Sequence, residues 1–391
     1  MYTIIAAILT LGILILVHEW GHFIAAKMVG IRIEKFSIGF PPKFLALKNK
    51  MDGLWVTMFV PWFLQKLLKA SKIEYRFRRK NPKSSDTEYT ISWTPLGGYV
   101  KMSGMIDESL TGELTGKPWE FASKKKWQQF LTISGGVIMN TILAFIFFVI
   151  IIYSSGIPIP SETTEVGSLT TTEERVVFPA EKVGVQIGDV ITSINNERLS
   201  NWDELVTIIQ TYPHKNAFIT WTRNGQNYSD SIAVVKEQIP TFDGIKTVGM
   251  LGIGRVVDQR PAAFIESITL GFTTTVMHGT LMARSFWSLI SGNASMDQVG
   301  GPIMIAKMAG DVARQGWLDI LYFMAIISVN LAFINILPIP GLDGGHLIII
   351  IVESVLRKPL PIKVKLGIQQ VGMLLLLGLI LFVTINDLSR F

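Results

Sequence analysis

The chain has 391 residues, 49% of them hydrophobic and only 17% charged, with a mean hydropathy of +0.40. Soluble globular chains carry roughly 25% charge, so this composition excludes a disordered chain and argues against an ordinary cytosolic enzyme. The absence of cysteine excludes disulfides, thiolate zinc sites, iron–sulfur clusters and a cysteine nucleophile.

A bilayer core of ~30 Å takes about 20 mostly apolar residues in a helix. In chain order Tyr2–Val29, Phe130–Tyr153, Ile320–Ile339 and Leu366–Asn386 meet that requirement. The first lacks a basic leader before its apolar run and reads as a retained helix rather than a signal peptide. Ala262–Ile290 is interrupted by Glu266, His278 and Arg284, which predicts an amphipathic helix lying on the membrane or packed on the protein. Residues 31–126 carry 18 Lys/Arg against 9 Asp/Glu, residues 154–317 carry 12 against 16, and residues 337–365 carry 4 against 2. By the positive-inside rule the first and third of these segments face the cytoplasm, while the middle one and both termini lie outside.

The first loop holds Trp55, Phe59, Trp62, Phe63 and Leu67 beside Lys66 and Lys69, an interfacial amphipathic composition. Tyr89–Met102 follows as two strand-like runs around Pro95 and Gly97-Gly98, where bare glycine backbone lets another chain approach. Beyond the second span, a Gly188-Asp189 turn leads into a β-branched run, and Trp202–Thr211 reads as a helix capped by Ser200 or Asn201. Asn224-Gly225 then separates two alternating strands as a hairpin turn. This pattern, over residues 160–258, resembles a PDZ domain, a module that adds peptides to an open sheet edge.

His18-Glu19-Trp20-Gly21-His22 is an H-E-x-x-H motif on an otherwise apolar helix. Residues i and i+4 share a helix face, so His18 and His22 can grip one zinc ion while Glu19 serves as a base toward water. Each ionisable group inside a span costs about 2.5 kcal/mol or more when unpaired, which makes function the default reading. A catalytic zinc needs a third protein ligand. The best candidate is Asp343, in Asn335-Ile-Leu-Pro-Ile-Pro-Gly-Leu-Asp-Gly-Gly345, where Pro338 and Pro340 end the third helix. At ~1.5 Å per residue His18 lies ~22 Å into its helix, and Asp343 reaches the same leaflet only if four helices cross. His346 is expected on the first turn of the following helix rather than on the metal, and His214 and His278 lack ligand-spaced companions. Asn140 either lines the site or bonds across helices. Glu353 and Arg357 are an i, i+4 pair.

Together these motifs resemble the site-2 protease family, intramembrane zinc metalloproteases of the bacterial RseP type. The resemblance rests on His18–His22, Gly97-Gly98-Tyr99-Val100-Lys101, Gly136-Val-Ile-Met-Asn140, Gly300–Lys307, the PDZ-like insertion, and Asn335 to Gly345. It implies a Zn2+ cofactor on His18, His22 and Asp343, with Glu19 as catalytic base. It also implies that Asn335 holds substrate and that the strand Gly97, Gly98, Tyr99, Val100, Lys101 and Met102 pairs with it. The implied substrates are single-pass membrane proteins already trimmed outside, of the anti-sigma factor type, with signal-peptide remnants a second class. Membrane lipids are the other expected partner, and nucleic acid is not one. The rival readings are a PDZ-bearing adaptor with a structural metal and a cation transporter with Glu19 and Asp343 on its path.

The expected architecture is a polytopic α-helical membrane protein with four transmembrane helices, a cytoplasmic membrane-associated β-region and one periplasmic PDZ-like α+β domain. Its segments are helix one (1–30), the cytoplasmic loop (31–126), helix two (127–154), the PDZ-like domain (160–258), an amphipathic helical segment (259–317), helix three with the LDGG segment (318–345), a short helix and loop (346–365) and helix four (366–387). The inner membrane is the expected location, with the active site toward the cytoplasmic leaflet.

Overall fold

The computed structural model describes residues 2–50, 53–60, 71–77, 87–105, 115–170, 178–213, 215–241, 244–293 and 300–389. Trp62, Phe63, Lys66, Leu67 and Lys69 of the first loop, and His214, lie outside them. Among the described residues four helices are long and apolar enough to cross a membrane: α1 (Tyr2–Met28), α2 (Lys126–Ser155), α7 (Trp317–Ile336) and α9 (Ile362–Ser389). The chain divides into two compact units, one of residues 1–151, 267–286 and 295–391, the other of residues 152–266 and 287–294.

In the first unit α1 and α2 cross at glycine. A Cβ on Gly21 would meet the Gly135 carbonyl oxygen at 2.1 Å, and one on Gly135 would meet that of Gly21 at 2.5 Å. Small residues permit such backbone contact between membrane helices. Ala144 and Phe148 of α2 pack with Ala325 and Val329 of α7. Helix α7 ends at Ile336, earlier than its apolar run, because Leu337 leaves the helical conformation ahead of two prolines. After a short link, α8 (Asp343–Leu356) starts on Asp343 itself. A Cβ on Gly344 would meet the Leu337 carbonyl oxygen at 2.0 Å, so glycine lets the start of α8 press against the link.

Two buried carboxylates tie helix ends together. Glu353 on α8 accepts from Lys126 Nζ at 2.6 Å, from Lys365 Nζ, and from the Leu360 N–H at 2.8 Å. It makes no i, i+4 pair with Arg357, which terminates α8 in the left-handed region at φ 52°. Burial alone would raise the Glu353 pKa, but the two ammonium groups hold it below the usual carboxylate value. Asp387, on the last turns of α9, accepts from the N–H groups of Gly301, Ile303 and Met304 at 2.9, 3.1 and 3.0 Å. It thereby caps α6 (Pro302–Gln315) from a distant element.

Helix α5 (Phe264–Ile290) is packed on the protein over its central part. Gly271 meets Val149 of α2, His278 stacks on Phe148 at 5.1 Å, and Phe286 meets Phe333 of α7.

Between α1 and α2 runs a sheet of β1 (Ile33–Lys50), β2 (Gly53–Phe59), β3 (Lys72–Phe77) and β4 (Glu88–Met102), in the order β3-β2-β1-β4. Strand β1 turns at Gly39–Pro42. Its first half pairs with residues 98–102 and 88–91, its second half with 88–92. Met102 and Ile33 share a buried cluster with Ala26 at the end of α1.

The second unit is β-rich, with strands β5 (Ile157–Pro160) and β6 (Val166–Leu169), a single turn α3 (Pro179–Lys182), β7 (Val190–Ile194) and β8 (Glu197–Arg198), and α4 (Trp202–Gln210). Then follow β9 (Asn216–Arg223), β10 (Gln226–Ala233), β11 (Val235–Thr241), β12 (Gly244–Met250), β13 (Ile253–Arg255) and β14 (Val257–Arg260). Its main sheet runs β10-β9-β7-β8. Asn224 and Gly225 both have positive φ, 49° and 80°, as a type I′ hairpin requires. Asn201 caps α4 by accepting from the Glu204 N–H, and Glu204 accepts in return from the Ser200 N–H. Ile191, Ile219, Ile232 and Trp221 form the centre of the core.

Candidate functional site

The H-E-x-x-H turn lies deep in α1, with His18 and His22 8% and 6% exposed. Helical spacing puts their rings edge to face at 4.8 Å. Asp343, at the start of α8, completes the group: its Oδ2 is 3.1 Å from His18 Nε2 and 3.3 Å from His22 Nε2, and the two Nε2 atoms are 3.2 Å apart. No other trio of potential ligands comes together among the described residues.

These atoms fit a zinc ion. Ligands ~2.0–2.2 Å from a tetrahedral zinc lie about 3.3–3.6 Å from one another, close to the observed triangle. The proton balance also fits. His22 Nδ1 donates to the Thr132 carbonyl at 3.0 Å, which leaves Nε2 as a lone pair facing the triangle. His18 Nδ1 lies 3.4 Å from the side-chain amide of the fully buried Asn140. The Asn140 Oδ1 has no partner as placed, and exchanging amide oxygen for nitrogen lets it accept from His18 Nδ1–H. Asp343 Oδ2 is buried without a hydrogen-bond donor. Two imidazole lone pairs and a carboxylate oxygen thus converge with no proton between them, an arrangement that a cation resolves.

Gly136 on α2 makes the room. A Cβ there would meet His18 Nε2 and His22 Nε2 at 2.6 Å each. Glu19, half-buried, lies within electrostatic reach of His22, His18 and Asp343 and also borders the β-region, where the Val100 backbone N–H faces its carboxylate and a Cβ on Gly98 would lie 3.5 Å from its Cγ. Residues Gly98 to Met102 thus run beside α1 from Glu19 toward Ala26. Tyr99 stacks on Phe40 and receives Lys35 over its ring; Lys101 lies 4.0 Å from Glu34. Gly97, at φ 134°, sits against the Phe40 ring. Asn335 occupies the last turn of α7, half-buried. His346 stays out of the cluster. Burial holds it below the usual imidazole pKa, and its Nε2 accepts from Gln369 at 3.3 Å.

Sequence reasoning missed the Thr132 carbonyl and the steric role of Gly136. The Gly135-Gly136 pair in an apolar helix was the available signal for the latter.

The profile of Peptidase family M50 matches residues 6–62 and 70–379. The chain belongs to peptidase family M50. Zinc metalloprotease RasP of Bacillus licheniformis is 29% identical over 432 residues, covering 100% of this chain and 99% of that protein. The regulator of sigma-W protease RasP of Bacillus subtilis is 27% identical, covering 99% and 98%. A PDZ domain of an SdrC-like protein from Listeria monocytogenes is 18% identical and covers 26% of this chain and 94% of its own, with a TM-score of 0.19. This M50 chain is therefore an intramembrane zinc metalloprotease of the site-2 type.

Proposed function

We propose that His18, His22 and Asp343 hold the zinc and that the enzyme cuts peptide bonds in or near the transmembrane segments of single-pass proteins. The observation that carries this reading is the triangle of Nε2, Nε2 and Oδ2 at 3.1–3.3 Å. Zinc bound there supplies Lewis-acid chemistry, polarising a carbonyl and acidifying water. Glu19, next to the two imidazoles in sequence, takes the proton from the attacking water and returns it to the leaving amine. Asn140 and the Thr132 carbonyl keep both imidazoles in the ligating tautomer.

A spanning substrate helix hides its amides in internal hydrogen bonds, and opening it in lipid costs several kcal/mol per unpaired group. The strand Gly97–Met102 offers replacement partners next to Glu19, and Asn335 adds a side-chain amide. The second unit, read as PDZ-like, binds or excludes the outer part of a substrate, so that cleavage follows an earlier cut. The Lys/Arg bias places this unit and both termini in the periplasm, with the site toward the cytoplasmic leaflet of the inner membrane. Anti-sigma factors are the favoured substrate class, in keeping with the name of the Bacillus subtilis relative; signal-peptide remnants are the second. The test is co-expression of candidate single-pass proteins with the intact enzyme and with Glu19→Gln, with mapping of new fragment ends. The reading requires cuts at membrane depth that the variant and a zinc chelator both abolish.

A further inference from the structure

Helix α9 meets α8 and the link before it through one narrow stripe. Lys365, Gln369, Gly372 and Leu376 stand at i, i+4, i+7 and i+11, a single helical face. Lys365 reaches Glu353, near the C-terminal end of α8. The other three reach the opposite end, where Asp343 lies. Gln369 Nε2 donates to His346 Nε2 at 3.3 Å, one turn beyond Asp343. A Cβ on Gly372 would meet the Pro340 carbonyl oxygen at 2.0 Å and the Pro340 Cβ at 2.4 Å. Leu376 Cδ1 would lie 2.9 Å from a Cβ on Gly341, whose φ of 92° favours glycine in any case. Leu374, Leu375 and Leu377, on the remaining faces, are exposed.

Asp343 depends on that contact. Leu342 gives α8 no side-chain cap, and residues 337–342 form neither helix nor strand. Glycines of two elements fix this link instead. Cβ atoms on Gly344 and Gly345 of α8 would meet the Leu337 and Ile339 carbonyl oxygens at 2.0 and 2.5 Å, and Gly372 of α9 holds Pro340. Pro340 is three residues from Asp343, so a shift of the link carries the carboxylate with it. Metal–ligand distances hold to within about 0.2 Å, and a displacement of ~1 Å at a reacting group costs about 10²-fold.

We propose, on the reading of His18, His22 and Asp343 as the zinc ligands, that Gly372 and Gln369 are positioning residues: α9 seats the Pro340-Gly341 link and thereby sets the distance of Asp343 from the two imidazoles. A methyl group on Gly372 does not fit 2.0 Å from a carbonyl oxygen, so the link or α9 must give way. Helix propensity acts in the other direction, since alanine is the better helix former. Zinc loss in Gly372→Ala therefore reports the contact rather than a weakened helix. Gly367 and Gly378, on the same helix, have open space at the Cβ position and serve as controls.

The test uses the full-length protein in lipid vesicles as Gly367→Ala, Gly372→Ala, Gly378→Ala, Gln369→Met and Asp343→Ala. Zinc affinity is read by competition with a chelator, ligand geometry by the visible spectrum after cobalt loading, and stability by the thermal midpoint. Gly367→Ala and Gly378→Ala are expected to match the unaltered protein. Gly372→Ala is expected to bind zinc about 10–100-fold more weakly, with a changed cobalt spectrum. Gln369→Met keeps the side-chain volume and loses the amide, so it should shift both readings the same way by less. It decides the question alone if Gly372→Ala does not accumulate. A lower midpoint in these two variants with zinc affinity and cobalt spectrum unchanged makes α9 a packing element only and overturns the proposal. Equal zinc loss in all three glycine variants overturns it as well. Asp343→Ala tests the ligand reading separately: zinc affinity unchanged there refutes that reading, whereas zinc weakened there and unchanged in Gly372→Ala refutes the seat alone.

Discussion

Asp189, a buried aspartate just ahead of a strand, and Asp343, a partly buried aspartate at the start of a helix with its Oδ2 out of solvent, have opposite surroundings. In the β-rich unit, Asp189 is 1% exposed and its oxygens are fully engaged: Arg223 donates to Oδ1 at 2.7 Å and to Oδ2 at 2.8 Å, and the Gln186 N–H adds 2.7 Å to Oδ2. In the helical unit, Asp343 Oδ2 faces two imidazole nitrogens and has neither an arginine nor a backbone N–H beside it. A satisfied carboxylate holds a turn; a carboxylate facing two imidazole nitrogens has the geometry to hold a cation. Burial alone does not tell them apart, whereas counting donors does.

The strongest way to test this contrast is to leave the cation in place and remove the base. Glu19→Gln is expected to lower cleavage by about 10²–10⁴-fold with zinc content per chain unchanged, as measured by metal analysis beside a substrate assay. Loss of zinc in that variant would move Glu19 into the ligand set. One shell out, Asn140→Ala is expected to weaken zinc binding or activity by about 10–100-fold, read by competition with a chelator. Asn140→Asp keeps an acceptor for His18 Nδ1 and should recover much of the loss.

The satisfied carboxylates should fail differently. Glu353→Ala leaves Lys126 and Lys365 facing each other and is expected to cost about 1–3 kcal/mol, visible as a lower thermal midpoint, with the Nε2–Oδ2 triangle still able to bind zinc. Asp189 gives the smallest effect and the one that depends on pH. Burial pushes its pKa up, but the Arg223 guanidinium outweighs that and holds it below the ordinary carboxylate value. With a depressed folded pKa, its contribution is complete above the unfolded value of about 3.9 and is lost as pH falls through the lower folded value. Hydrogen exchange of the Val190–Ile194 amides in the intact protein should therefore accelerate only below about pH 4, and at higher pH in Arg223→Gln.

Local chemistry was legible in the sequence and distant pairing was not. The i, i+4 histidines, the Asn201 cap and the Asn224-Gly225 turn each follow from rules acting over a few residues. The proline-rich link identified Asp343 because a span that cannot continue must open there. Glu353 was misjudged because its partner Lys126 is 227 positions away, and a helical i, i+4 rule assumes that Arg357 stays in the helix. Asp387 caps a helix 86 positions upstream, beyond any capping signal.

X-ray absorption at the zinc edge on the purified, lipid-embedded protein addresses the metal site most directly. The structure predicts one zinc per chain with two imidazoles and carboxylate or water oxygens at ~2.0–2.2 Å, and loss of that signature in Asp343→Ala. A spectrum without imidazole scattering, or one unchanged in Asp343→Ala, would contradict it.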